Sequence, residues 1–170
     1  MAIIFSTSRL LVRQLNTSDS DKFHELQGNQ NVMEYTSEPA MSQEESEVDL
    51  LSVISKYDTP NNPFWVWAIV NRTNQNLLGT CALVHEANGI YEIGYRLLES
   101  EWGNGFGGEV TNGLIDFAFE TWNANEIIAF VDKRNVASIK ILERSKLNFI
   151  RYFWNSETET QDFEFRLKTR

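Results

Sequence analysis

Residues 103–108 hold four of the nine glycines in this 170-residue chain: Gly103, Gly105, Gly107 and Gly108. Apolar residues follow at Val110, Leu114, Phe117 and Ala118, a spacing that marks one face of a helix. Glycines packed ahead of a helix leave backbone N–H groups uncovered at the positive end of the helix dipole. Such a terminus binds anions, phosphate above all. A loop that needs positive φ also recruits glycine, but this density favours a phosphate cradle.

Other residues could act on whatever the cradle holds. Glu92 is a charged residue inside the alternating stretch Tyr91-Glu-Ile-Gly-Tyr-Arg-Leu-Leu98, which reads as a strand. A partly buried carboxylate there has its pKa raised toward the range useful for a general base; the alternative is a solvated strand face. Glu34 and Glu157 are rival carboxylates in loops, and Tyr91 and Tyr95 are possible proton donors. Asn135 and Ser138 stand at the head of a later helix, where Asn135 also fits an N-cap and Ser138 a first-turn residue bonded to local backbone.

Gly103, Gly105 and Gly108 also satisfy the dinucleotide fingerprint G-x-G-x-x-G, with Asp132 as its ribose-binding acid. Context argues against a nucleotide-dependent oxidoreductase. Glu99 to Trp102 separates the strand from the first glycine, Asp132 lies beyond the usual ~20-residue spacing, and little chain is left for a doubly wound sheet.

The elements that must position these groups are legible in order. Arg9 to Leu15 reads as a strand. Asn16 to Asp19 offers caps for a helix bearing Phe23 and Leu26 and stopped by Gly28. Ser42-Gln-Glu-Glu45 is a capping box opening a helix with Val48, Leu51 and Ile54 on one face, ending near Tyr57. Phe64 to Val70, Leu77 to Val84 and Tyr91 to Leu98 form a meander, the last turn closed by Asn88-Gly89. Glu126 to Val131, Asn148 to Trp154 and Gln161 to Lys168 are strands, and Asn135 to Lys146 a helix. The aromatic run Phe64-Trp-Val-Trp67 reads as sheet packing that could also frame a pocket. The expected fold is α+β, a single domain over residues 1–170 with a mixed, mostly antiparallel sheet.

The net charge of −9 makes the chain a poor general binder of nucleic acid or anionic membrane. Cys81, the single cysteine, sits in an apolar run and reads as core, consistent with a reducing compartment. Two histidines, His24 and His85, make a histidine-based metal centre improbable. Residues 2–5 form only a brief apolar patch without a basic n-region, and no membrane-length stretch occurs. The cytoplasm is the default expectation.

Trp102-Gly-Asn-Gly-Phe-Gly-Gly-Glu109 resembles the acyl-CoA pyrophosphate loop of the GNAT superfamily of N-acetyltransferases. Trp102 replaces the usual Gln or Arg, as in the branch of bacterial ribosomal-protein N-terminal acetyltransferases. Glu92-Ile-Gly-Tyr-Arg-Leu97, Asn135-Val-Ala-Ser138, Leu147-Asn-Phe149 and Thr7-Ser-Arg-Leu-Leu-Val-Arg13 match that branch in order. In the third motif Asn148 replaces a glycine expected in the left-handed conformation. The resemblance implies an acetyl-CoA-dependent N-acetyltransferase without metal, acting by direct attack of an amine. It implies that Trp102, Gly103, Asn104, Gly105, Phe106, Gly107 and Gly108 hold the pyrophosphate. Asn135 and the strand end at Leu97 and Leu98 would hold the pantetheine arm. Glu92 would be the base, and Ser138 would contact both cofactor and leaving thiolate. Leu142 stands where many members carry a tyrosine acid. The resemblance places Asn29 to Met41 beside the acceptor pocket, leaves a peptide N-terminus or a small amine open as acceptor, and admits a homodimer. A non-catalytic acyl-CoA-binding module is the alternative.

Overall fold

The alternation of β-strand residues sends successive side chains to opposite faces, and strand β3 (Phe64–Asn71) shows what this sheet does with them. Trp67 and Ile69 enter one hydrophobic cluster, with Val110, Leu114 and Phe117. Ala68 and Val70 enter another, with Phe23, Leu50 and Val53. Helices therefore cover both faces. A computed structural model describes residues 2–169.

Eight strands run in the order β1-β2-β3-β4-β5-β6-β8-β7. They are β1 (Ile3–Ser6), β2 (Leu10–Arg13), β3, β4 (Leu77–His85), β5 (Ile90–Leu97), β6 (Glu126–Asp132), β7 (Asn148–Asn155) and β8 (Thr160–Lys168). Every pairing is antiparallel except β5 with β6. The fold is thus α+β with a mixed, mostly antiparallel sheet, as expected. Helices α1 (Ser20–Gln27) and α3 (Gln43–Ser55) lie toward the second cluster, and the short α2 (Gln30–Met33) packs beside α1. Helices α4 (Phe106–Trp122) and α5 (Val136–Glu143) lie toward the first.

The parallel pair is short. It joins Ile90, Tyr91 and Glu92 to Glu126, Ile127 and Ile128, and goes no further. Beyond Glu92, β5 continues beside β4 as far as Leu97, while β6 continues beside β8 as far as Asp132. The sheet is therefore split between β5 and β6, with Glu92 at the apex.

Some expectations needed correction. In α3 the inward stripe is Ser46, Leu50 and Val53, whereas Val48 and Leu51 are 64% and 55% exposed. Ser46 is buried because its hydroxyl bonds His24 Nδ1 at 3.0 Å and the Gln43 carbonyl at 2.9 Å. An inward serine is invisible to a count of apolar residues. Asn148 is not left-handed; it opens β7 opposite Arg166. Helix α4 starts at Phe106, earlier than its apolar face suggested, and residues 3–6 form an edge strand. The Asn88-Gly89 turn has the expected positive φ at both residues, 62° and 73°. Among the described residues no helix is long and apolar enough to cross a membrane.

Candidate active site

The glycines ahead of α4 have distinct reasons to be glycine. Gly103 and Gly105 carry φ of 78° and 79°, where a side chain is strained. Gly105 is the α4 N-cap, so the N–H groups of the first turn lack a side-chain cap. A Cβ on Gly107 would sit 2.8 Å from Ile141 Cδ1 and 2.9 Å from Tyr95 Oη, so this glycine permits close packing of α4 on β5 and α5. No heavy atom lies within 4 Å of where a Cβ would stand at Gly103 or Gly108. The loop thus exposes backbone to open space, as an approaching pyrophosphate requires.

Arg9 and Glu109 hold this loop from outside. Glu109 accepts hydrogen bonds from the Thr7 hydroxyl, from the Arg9 N–H at 2.8 Å and from Arg9 Nε at 2.7 Å. Burial works to raise the Glu109 pKa, but these donors outweigh it and hold the carboxyl at about 2. Arg9 Nη1 also donates to the Asn104 carbonyl at 2.9 Å, and its guanidinium lies 4.6 Å from the centre of the Phe106 ring. About a hundred residues separate the partners, so no local sequence signal could have revealed them.

The other predicted loop residues are used internally. Trp102 donates its indole N–H to the Leu97 carbonyl at 3.0 Å, and Asn104 donates its amide to the Glu101 carbonyl at 3.2 Å. Leu98 does not present its backbone to a ligand: its N–H donates to the Leu78 carbonyl at 2.9 Å. That bond fixes the alternation. Even-numbered groups of β5 pair with β4, and odd-numbered groups turn toward the split. The backbone of Tyr95 and the Leu97 N–H face it, and no strand pairs with them there. The strand edge offered to an extended ligand is therefore centred on Tyr95, not Leu98.

Around the split lies a cavity of about 1660 Å³, lined from one side by Gly103, Gly105 and Ser138 and from the other by Glu92, Gly94 and Arg96. Pockets for one small molecule measure roughly 300–1,000 Å³, so there is room for a donor and an acceptor together. Burial, with a smaller contribution from Glu86, pushes the Glu92 carboxyl up to about 7. Asn135 is the N-cap of α5, its side chain accepting from the Ser138 N–H at 3.0 Å. The Ser138 hydroxyl lies 3.5 Å from Tyr95 Oη, whose pKa burial raises. Glu92 projects from the α1–α3 side of β5 and Tyr95 from the α4–α5 side, so the two come to the split from opposite faces.

Glu34 and Glu157 also line this cavity. Tyr91 instead packs on His85 and Trp122, with ring centres 4.8 and 5.5 Å away. The aromatic run divides by parity. Trp65 and Trp67 join the cluster with Trp122, while Phe64 and Val66 line the cavity. Asp132 borders the cavity, but its carboxylate is spent on Arg134 rather than left free for a ribose. It is 7% exposed and bound by Arg134, whose Nη2 lies 2.6 Å away. Arg134 in turn lies 5.7 Å from the Tyr35 ring, which links α5's entry to the segment after α2. The start of α2 is tied to the other rim, Asn29 and Asn31 donating to Glu99 at 2.8 and 2.9 Å. Cys81 is buried and its thiol pKa lies far above the ordinary range, which fits a core role.

Residues 9–148 match the acetyltransferase (GNAT) domain family. The chain belongs to that family. It is an acetyl-CoA-dependent N-acetyltransferase. An uncharacterized N-acetyltransferase, p20, from Bacillus licheniformis is 30% identical over 138 residues, covering 80% of this chain and 77% of that protein. Among solved structures, the ribosomal-protein alpha-N-acetyltransferase RimL in complex with coenzyme A superposes with a TM-score of 0.84. It is 17% identical, with 98% of each chain covered. The spermidine N-acetyltransferase of Vibrio cholerae, in complex with CoA and spermine, gives a TM-score of 0.80 at 20% identity, covering 95% of this chain and 96% of that one. These two structures show a shared fold.

Proposed function

We propose that this enzyme moves the acetyl group of acetyl-CoA to a primary amine by direct attack, across the split between β5 and β6. The observation that carries this reading is the apex itself. A half-buried carboxylate with a pKa of about 7 stands where the parallel pairing ends, with the Tyr95–Ser138 pair entering from the other face. The uncapped first turn of α4 and the open glycines Gly103 and Gly108 hold the pyrophosphate. The Tyr95 backbone and the Asn135–Ser138 turn hold the pantetheine arm. Glu92, directly or through water, takes a proton from the attacking ammonium, because only the free amine has a lone pair for the carbonyl carbon. As the C–N bond forms and the C–S bond breaks, the Tyr95 and Ser138 hydroxyls stabilise or protonate the departing thiolate. No covalent enzyme intermediate is involved, and Cys81 takes no part.

The acceptor is a protein N-terminus or a small amine. The structural neighbours include one enzyme of each kind. The free, buried Cys81 fits a reducing compartment and so supports a cytoplasmic location. A homodimer rests on the family resemblance alone, and light scattering would test it.

Calorimetric titration of acetyl-CoA into the wild type and a Gly105→Trp variant tests the donor site. Binding that the variant loses supports the loop assignment, after which release of CoA thiol in the presence of amines tests transfer. Failure of the wild type to bind acetyl-CoA would overturn the reading.

A further inference from the structure

The acceptor side of the cavity is floored by one face of β5. Glu92, Gly94 and Arg96 project there in sequence, opposite Val84, Ala82 and Thr80 of β4. The Gly94–Ala82 pair makes the floor low between the two charged residues, and nothing lies within 4 Å of where a Gly94 Cβ would stand. The cavity floor thus has a carboxylate at one end, a guanidinium at the other and open space between them.

Arg96 is half-buried, yet its one hydrogen-bond partner among the described residues is neutral: Nη1 donates to Gln27 Oε1 at 2.7 Å. Among the described residues it forms no ion pair. Gln27 spends its amide N–H on Asp49 at 3.1 Å, so a neutral side chain stands between the cation and the nearest carboxylate in that chain of contacts. Asp49 and Glu38 act on Arg96 only at a distance, and burial disfavours its charge more than they favour it. Guanidinium carries five N–H donors in a planar fork matched to a carboxylate. Buried charges elsewhere in proteins are paired because an unpaired one is costly. Here the fork borders the substrate cavity with most of its donors unused.

We infer that Arg96 is an anion subsite for the acceptor, and that the acceptor is a small amine that also carries a carboxylate. This rests on the acetyltransferase reading above. Glu92 meets the amine end at the apex. Arg96, four residues and roughly 13 Å of strand further along, meets the carboxylate, with the Gly94 gap accommodating the atoms between them. Polyamines offer no group for Arg96 and would bring further cations toward it.

Matched amines test this, with released CoA thiol as the readout: L-lysine against cadaverine, and alanyl-alanine against its C-terminal amide. The wild type should show a kcat/KM about 10–100-fold higher for the carboxylate-bearing member of at least one pair, the size of a lost hydrogen bond to a charged group. Arg96→Met should erase that preference and Arg96→Lys should keep part of it. Acetyl-CoA affinity should be unchanged in both, which also reports that the variants have folded. The wild-type comparison decides the matter even where a variant is unstable. Equal use of both members, preference for the uncharged partners, no turnover of either acid, or an equal loss on both members in Arg96→Met would overturn the inference. Acetyl-CoA binding with acetylation of cadaverine alone would defeat this inference and leave the acetyltransferase reading standing. Absence of acetyl-CoA binding would defeat that reading first.

Discussion

The two sides of the split are built by different means. On the α4–α5 side the groups that face the cavity are mostly backbone: the amides of the α4 first turn, the open glycines and the edge of β5. Their positions are fixed from behind, by Gly107 packed against Tyr95 and Ile141 and by Glu109 gripping Thr7 and Arg9. On the α1–α3 side the facing groups are side chains, Glu92 and Arg96 from β5 and carboxylates from the segment after α2. A backbone site can recognise a phosphate common to every acyl-CoA and is hard to alter by substitution. A side-chain site changes with each residue, which is how one fold serves many acceptors.

That contrast can be broken most severely at Glu92. Glu92→Gln should lower kcat by about 10²–10⁴-fold, the usual worth of a general base, while calorimetry finds acetyl-CoA affinity unchanged. In the wild type kcat/KM should rise with pH through about 7, and the variant should lose that limb. Stability gives an independent check of sign. Burial raises the folded-state pKa from 4.5 to about 7, so the native protein holds this proton more tightly than the unfolded chain. The resulting stability is complete below 4.5 and lost as pH rises through about 7. Thermal melts should therefore show Glu92→Gln gaining on the wild type across that window and keeping its advantage above it.

Glu109→Ala should do the reverse. Losing the charge-assisted bonds to Thr7 and Arg9 should cost about 1–3 kcal/mol of stability and weaken acetyl-CoA binding, because the start of α4 is no longer tethered. Here the folded pKa is depressed from 4.5 to about 2, so the stability is present above 4.5 and lost as pH falls toward 2. Acid melts of wild type and variant should converge in that range.

Tyr95 and Ser138 join the two sides, and their effects should be smaller. Tyr95→Phe and Ser138→Ala should each lower kcat roughly 10-fold, less than the ~10²–10⁴-fold of a single general acid, because each hydroxyl can partly cover for the other. The double variant should fall by more than the product, since the hydroxyls are 3.5 Å apart and serve one leaving group. A product of independent effects would separate their roles. The smallest effect is expected on the outer face of α3. Leu51→Ala should change stability by less than ~0.5 kcal/mol, whereas its buried neighbour Leu50→Ala should cost about 2–5 kcal/mol, a contrast denaturant melts can resolve.

What the linear chain revealed follows from local physics. Alternation, capping boxes, Asn88-Gly89 and the dense glycines each act over a few residues, so seven strands, the starts of α1, α3 and α5 and the loop before α4 were legible, whereas β1 and α2 were not. Arg96 shares the strand face of Glu92, but nothing in the sequence singled it out, because its importance depends on what fails to pair with it. Ser46 and Val48 misled because burial is set by partners, and an inward serine bonded to His24 looks polar in sequence.

The sequence by itself determined the family, the α+β class and a glycine-rich helix start, because these depend on residue types at short spacing. Tertiary structure alone decided where β5 parts from β6, that Leu98 is spent on Leu78 while Tyr95 faces the split, and that Glu109 braces the loop through Arg9. It also decided which charges stand unpaired around the cavity. Those outcomes depend on contacts between residues far apart in the chain, and a carboxylate or guanidinium acquires its pKa and its task only from the neighbours that folding brings to it.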